Sequence, residues 1–271
     1  MFNQARKFAL LATFSTMAFA GVANADTRVS FSSGVSYSSG DFGGDEDTEV
    51  ISIPMRVRLT TGNWSFRVSA PYLTVTGPAD ISDTTDGGGD GDGGTGSNGA
   101  TAREGTARGI GDTTLAVEYA FRDIAGSDAY VELGARARLP TGDEDKGLGG
   151  GVTDYTATTE VGVSSSRGGV HALVGRRFRG QRPGVDRQDG WQAELGGWLP
   201  AGDHTNIGAS VSWREASREG NEDPSEAGVY VSRRMSENLR ISITGNAGLS
   251  DASPDYSTGI RFTWRSDDMN D

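Results

Sequence analysis

Guanidinium groups fall at alternate positions in several stretches of this sequence: Arg56 and Arg58 in PMRVRL, and Arg136 and Arg138 in GARARL. Arg67, Arg177, Arg214, Arg240 and Arg261 stand in similar settings, each flanked by apolar or small residues. Glu118, Glu132, Glu160 and Glu194 share that register. Four carboxylates cannot neutralise nine arginines, and an unpaired arginine in a dry interior is costly. Such a set can face water or an anionic guest, since rings of arginine favour anions in a pore. The plainer use of the same residues is a plug of arginine–glutamate ladders.

Other chemistry finds less support. Asp86, Asp90 and Asp92 lie among glycines in DGGGDGDGG and are weak candidates for calcium. A calcium loop needs a spaced ligand set closed by a bidentate Glu, or copies of a nonapeptide repeat, and neither is present. The chain has no cysteine and two histidines, His171 and His204, so a transition-metal site is not expected. No serine partners His171 in a way that suggests a nucleophile and its base. The expectation is therefore no catalytic residue, no cofactor and no enzyme, with a lipid-modifying barrel enzyme as the weakest alternative.

The elements that carry the arginines have a period of two. Ile51, Ile53, Met55, Val57 and Leu59 alternate with Ser52, Pro54, Arg56 and Arg58. After Thr61-Gly62-Asn63 the alternation resumes, with Trp64, Phe66, Val68, Ala70 and Tyr72 against Ser65, Arg67 and Ser69. Two such runs across a short Gly/Asn turn predict a β-hairpin. The pattern continues to Trp264 and predicts about twelve strands, with no competing amphipathic helix. The strand ends also place Arg28, Arg122, Arg234, Arg265 and Asp112 on the arginine register, near the rims.

Connections alternate in length. Short turns join strands 2–3, 4–5, 6–7, 8–9 and 10–11, and longer Gly/Asp-rich segments join the others. Short turns at one end and long loops at the other, with an even strand number, predict an all-β antiparallel transmembrane β-barrel of the outer-membrane type. A closed barrel satisfies every backbone group in lipid. The apolar register then faces lipid and the arginines face the lumen. A soluble sandwich or lipocalin-like barrel would reverse that assignment. Residues 83–104 become a long extracellular loop, the one segment that looks long enough to fold inward. Arg176 and Arg233 fall on the lipid-facing register and fit only near an interface, where long side chains snorkel.

Residues 1–25 read as a secretory signal peptide: Arg6 and Lys7, an apolar run to Val22, then Ala23-Asn24-Ala25. The expected division is 1–25 signal peptide and 26–271 barrel. Removing that segment moves the net charge from −12 to −14, which argues against nucleic acid as a partner. After residue 25 the only lysine is Lys146. Arginine suits packed, multiply hydrogen-bonded ion pairs better than lysine does.

The stretches GIGDTTLAVEYAF (109–121) and ARLPTGDEDKGLGGGVTDY (137–155) resemble a family of proteobacterial outer-membrane proteins, the putative meta-pathway phenol-degradation proteins or transporters. The similar pieces are Gly109-x-Gly111-Asp112, then Leu139-Pro140-Thr141-Gly142-Asp143, then a Gly-rich loop into Asp154-Tyr155. The resemblance implies an outer-membrane β-barrel that takes up small molecules and supplies no catalytic residues. An arginine-rich lumen would suit aromatic acids better than neutral phenols. The expected function is a passive outer-membrane channel for small anionic or aromatic-acid solutes, located in the cell outer membrane. Its expected partners are the solute, outer-membrane lipid and lipopolysaccharide, and the barrel-assembly machinery during biogenesis. The alternative is a closed structural or surface barrel whose acidic loops serve adhesion or lipopolysaccharide packing.

Overall fold

The computed structural model describes residues 27–42, 44, 46–77, 105–182, 184 and 186–266. The 1–25 segment and the 83–104 loop, with Asp86, Asp90 and Asp92, lie outside the described residues. The strands are β1 (Thr27–Gly40), β2 (Thr48–Thr61), β3 (Trp64–Thr76), β4 (Thr106–Ile110), β5 (Thr113–Phe121), β6 (Ala129–Leu139) and β7 (Asp154–Ser165). Then come β8 (Gly168–Phe178), β9 (Gly190–Pro200), β10 (Thr205–Arg214), β11 (Ser225–Arg234), β12 (Leu239–Gly248) and β13 (Tyr256–Arg265). Every pairing is antiparallel, each strand mostly beside its sequence neighbour, and β1 pairs with β13 to close the ring. Because β4 and β5 both pair with β3, they are two halves of one barrel strand. The result is a closed twelve-strand antiparallel transmembrane β-barrel.

Pleating decides which face is which. The apolar register points out: Leu195 is 66% exposed, Val229 64% and Val170 61%, and the same holds around the barrel. The polar register points in, where Arg67, Glu118, Arg136 and Arg177 are all buried. An apolar belt this continuous is incompatible with water and requires lipid. Aromatic side chains cluster at its edges. Trp64, Tyr119 and Phe121 make edge-to-face contacts of 4.7 and 4.8 Å at the short-turn end. Tyr37 and Tyr256 sit 6.0 Å apart at the long-loop end.

The misfit arginines are resolved locally. Arg176 lies 5.0 Å over the Trp191 ring and 3.9 Å from Glu215, close to the long-loop rim. Arg233 is exposed at the last but one position of β11. Both therefore sit at strand ends, clear of the centre of the apolar belt.

The split between β4 and β5 follows from two prolines. Pro54 and Pro71 face each other across β2 and β3 within an unbroken ladder. Their missing N–H groups point the other way, toward the outer neighbours. The β1–β2 ladder accordingly skips Gly34 and Val35. On the other side four residues of β3, from Ser69 to Tyr72, face five, from Ile110 to Thr114, which is a β-bulge. The Pro71 carbonyl accepts from Gly111 N at 2.8 Å within it. The single strand expected at 113–121 is thus preceded by a second segment, offset by one residue.

The apolar belt generates a direct expectation. Val229→Arg, in the middle of β11, should cost about 2–4 kcal/mol, the penalty for arginine near the bilayer midplane. Reversible denaturant unfolding in lipid vesicles measures it.

Candidate functional site

The lumen-facing charges divide by wall. On the five contiguous strands β12, β13, β1, β2 and β3, the inward register carries Arg240, Arg261, Arg265, Arg28, Arg56, Arg58 and Arg67, and no carboxylate among the described residues. On β5 to β9 it carries Glu118, Glu132, Asp154, Glu160 and Glu194, against Arg136, Arg138 and Arg177. Arg214 on β10 stands 3.7 Å from Glu226 on β11. The total charge on the register is legible from alternation. Its division between opposite walls requires the strand order.

The two walls meet at β3 and β5. Arg58 and Arg67 are direct cross-strand partners, and both turn to Glu118, at 3.6 and 2.8 Å. Arg67 is 5% exposed, so this pair is shielded from solvent screening. Further round, Glu132 and Glu160 are also direct partners, and Tyr130 donates its hydroxyl hydrogen to Glu160 at 2.6 Å. The His171 ring nitrogen lies 3.1 Å from Glu194. Arg240 donates to Ser232 at 3.3 Å.

At the long-loop end the site is built differently. Just beyond the bulge Asp112 keeps the inward register of β5, and it is 3% exposed instead of lying at a solvated rim. Its carboxylate accepts from Gly142 N at 3.0 Å and from Gly150 N at 2.7 Å, the two legs of the 140–153 loop. Those legs approach so closely that a Cβ on Gly142 would stand 2.8 Å from the Gly149 Cα, which only glycine tolerates. Held at this neck, the loop inserts Leu148, 1% exposed, among Val50, Leu73 and Val75. These three are inward-facing residues, so this loop turns inward. The exposed turn at its tip is ordered by Asp143, which the Lys146 ammonium holds below its usual carboxylate range.

A buried ionic node locks neighbouring loops to this one. Asp154 accepts two hydrogen bonds from Arg187, at 2.9 and 2.8 Å, one from Gly180 N at 2.8 Å, and one from Arg138. Arg138 also lies 3.9 Å from Asp112. Arg187 belongs to the loop after β8, and so does Arg182, which reaches Glu144 of the 140–153 loop at 2.8 Å. Arg179 donates to the carbonyls of Gln188 at 2.6 Å and Glu215 at 3.0 Å, the second from the loop after β10. Bidentate arginine–carboxylate geometry makes such ties specific as well as strong.

Sequence spacing therefore locates the lumen register of the nine arginines and four glutamates, but not the latch. Asp154, Arg179 and Arg187 stand at strand ends or in loops, where alternation carries no signal. Their nearest trace is the motif set at 109–112, 139–143 and 154–155, which holds Asp112, Gly142 and Asp154. Among the described residues no group of three or more His, Cys, Asp or Glu side chains could hold a metal ion.

The fold and lumen define the class: a twelve-strand membrane barrel with a charge-divided interior. Its structural neighbours include an outer membrane channel from Pseudomonas putida F1, at TM-score 0.59 and 13% identity, covering 89% of this chain and 94% of that one. The NanC porin matches at TM-score 0.52 and 10% identity, and the KdgM porin at 0.51 and 8%; each match covers 87% of this chain and 98% of the neighbour. At such identities the likeness is one of fold. No family model matches the sequence, and no curated protein matches it.

The ionic node has a measurable consequence. Asp154→Ala leaves Arg138 and Arg187 buried without their shared carboxylate, and breaking a buried pair costs about 3–5 kcal/mol. The loops should loosen while the barrel stays closed. Trypsin should then cut faster after Lys146 and Arg187, with heat-modifiable gel mobility unchanged.

Proposed function

We propose that this protein is a passive outer-membrane channel for small solutes, with a preference for anions. The observation that carries this reading is the arginine wall from β12 to β3. Seven guanidinium groups on one continuous wall give the lumen a positive potential that raises the local concentration of anions. The structural neighbours that are channels and porins support the channel class. The long-loop end faces the cell exterior and the short-turn end the periplasm, as in barrels of this type. Arg56, Arg58, Arg67, Arg136, Arg138, Arg177, Arg214, Arg240 and Arg261 shape selectivity, balanced by Glu118, Glu132, Glu160 and Glu194. Outer-membrane lipid surrounds the belt, lipopolysaccharide meets the acidic loops, and residues 1–25 are removed on export.

One observation favours a second reading, a closed barrel whose surface loops act. The Asp112 and Asp154 contacts hold loops together across the long-loop end. Conductance separates the two. The refolded protein in a planar bilayer under a salt gradient should give a stable conductance with a reversal potential on the anion side. Glu in place of Arg56 and Arg240 should move that potential toward the cation side. A barrel that is silent, and stays silent when Asp154→Ala opens the latch, is the closed structural barrel.

A further inference from the structure

All four inward-facing rings of the described strands have a glycine as a direct cross-strand partner. Tyr130 pairs with Gly162, His171 with Gly196, Trp198 with Gly169, and Tyr230 with Gly208. A Cβ added to those glycines would stand 2.8, 2.5, 2.6 and 2.4 Å from the respective ring. Each ring therefore lies over bare backbone instead of standing into the lumen. Covering a sheet glycine with an aromatic ring is an ordinary way to stabilise a pleated surface. Here it also leaves the other face of each ring turned toward the lumen.

Their placement is not random. All four lie between β6 and β11, within five residues of the short-turn ends of their strands, and none is on the arginine wall. The shelf and the wall meet at β11 and β12. There the Arg240 guanidinium bonds Ser232 Oγ at 3.3 Å, and Ser232 is the inward residue next to Tyr230 on β11. A flat ring resting on Tyr230 thus places a carboxylate substituent beside Arg240 without crossing the lumen. His171 and Trp198 extend the same surface along β8 and β9. Aromatic faces accept flat rings by offset stacking, and guanidinium accepts carboxylate.

We infer that the β11–β12 seam is a binding site for planar ring carboxylates, with Tyr230 as the stacking surface and Arg240 as the carboxylate partner. This rests on the channel reading and narrows it from anions in general to anions carrying a flat ring. Neither group suffices alone: charge without the ring loses the shelf, and a ring without charge loses the arginine.

Binding is measured on the refolded barrel in detergent by saturation-transfer NMR, which reads the site whether or not the barrel conducts. The probes are benzoate, acetate and benzyl alcohol. Benzoate should bind about threefold to tenfold tighter than acetate, the range expected from one aromatic pair, and benzyl alcohol should bind weakly. Tyr230→Leu should bring benzoate down to the acetate level, Tyr230→Phe should restore the difference, and Arg240→Gln should weaken benzoate and acetate together. Heat-modifiable mobility verifies that each variant folds. Equal binding of benzoate and acetate by the wild type, or a preference that survives Tyr230→Leu, overturns the site. A silent bilayer with benzoate binding intact removes the channel and leaves the site standing.

Discussion

The backbone hydrogen bond is the constraint from which the rest of this structure follows. In hydrocarbon no water is available for an unpaired N–H or C=O, so each strand must be paired on both edges, and only closure of β1 onto β13 achieves that. Closure removes any freedom to choose faces strand by strand. Once one strand puts its apolar register toward lipid, the pleat and the ladder oblige its neighbours to follow. The arginines are carried inward together, and their electrostatics become a property of the assembled ring.

The exceptions to that ladder coincide with the specialised parts. Proline cannot donate, so the Pro54–Pro71 pair leaves gaps toward β1 and toward the β4–β5 strand. The second gap is taken up by the bulge at Gly111. Just beyond it Asp112 brings a carboxylate to the neck of the 140–153 loop, and the loop delivers Leu148 to an apolar patch on the inner wall. Buried charges at Arg138, Asp154 and Arg187 then fix the next loop to the first. A local break in hydrogen bonding is thereby converted into an ordered mouth. The wall below it, where the ladder is regular, stays a lined lumen.

Small residues set the form of that lumen as much as charges do. Where a large inward side chain faces a glycine, it can lie along the wall, as Tyr130, His171, Trp198 and Tyr230 do. Gly134 opposite Thr158, Gly175 opposite Gln192 and Gly228 opposite Asn246 repeat the arrangement with polar partners. The interior of a barrel of this size is otherwise easily filled by its own side chains. Pairing large with absent side chains is the packing solution that lays these side chains along the wall.

Alternation and loop lengths, read from the sequence alone, determined the strand count, the barrel class and the register that holds Arg56, Arg136, Arg240 and their companions. Those features depend on a period of two, which is written locally in each strand. Tertiary structure decided what depends on which strands become neighbours. It separated an arginine wall from a carboxylate-bearing one, brought Asp154 to Arg187, and set glycines beneath rings that are distant in sequence. The bulge beside Asp112 also lay beyond reach, because it arises from the proline of the neighbouring strand and not from the residues that bulge. A one-dimensional pattern records which face a residue takes, whereas contact between faces is created only when the ring closes.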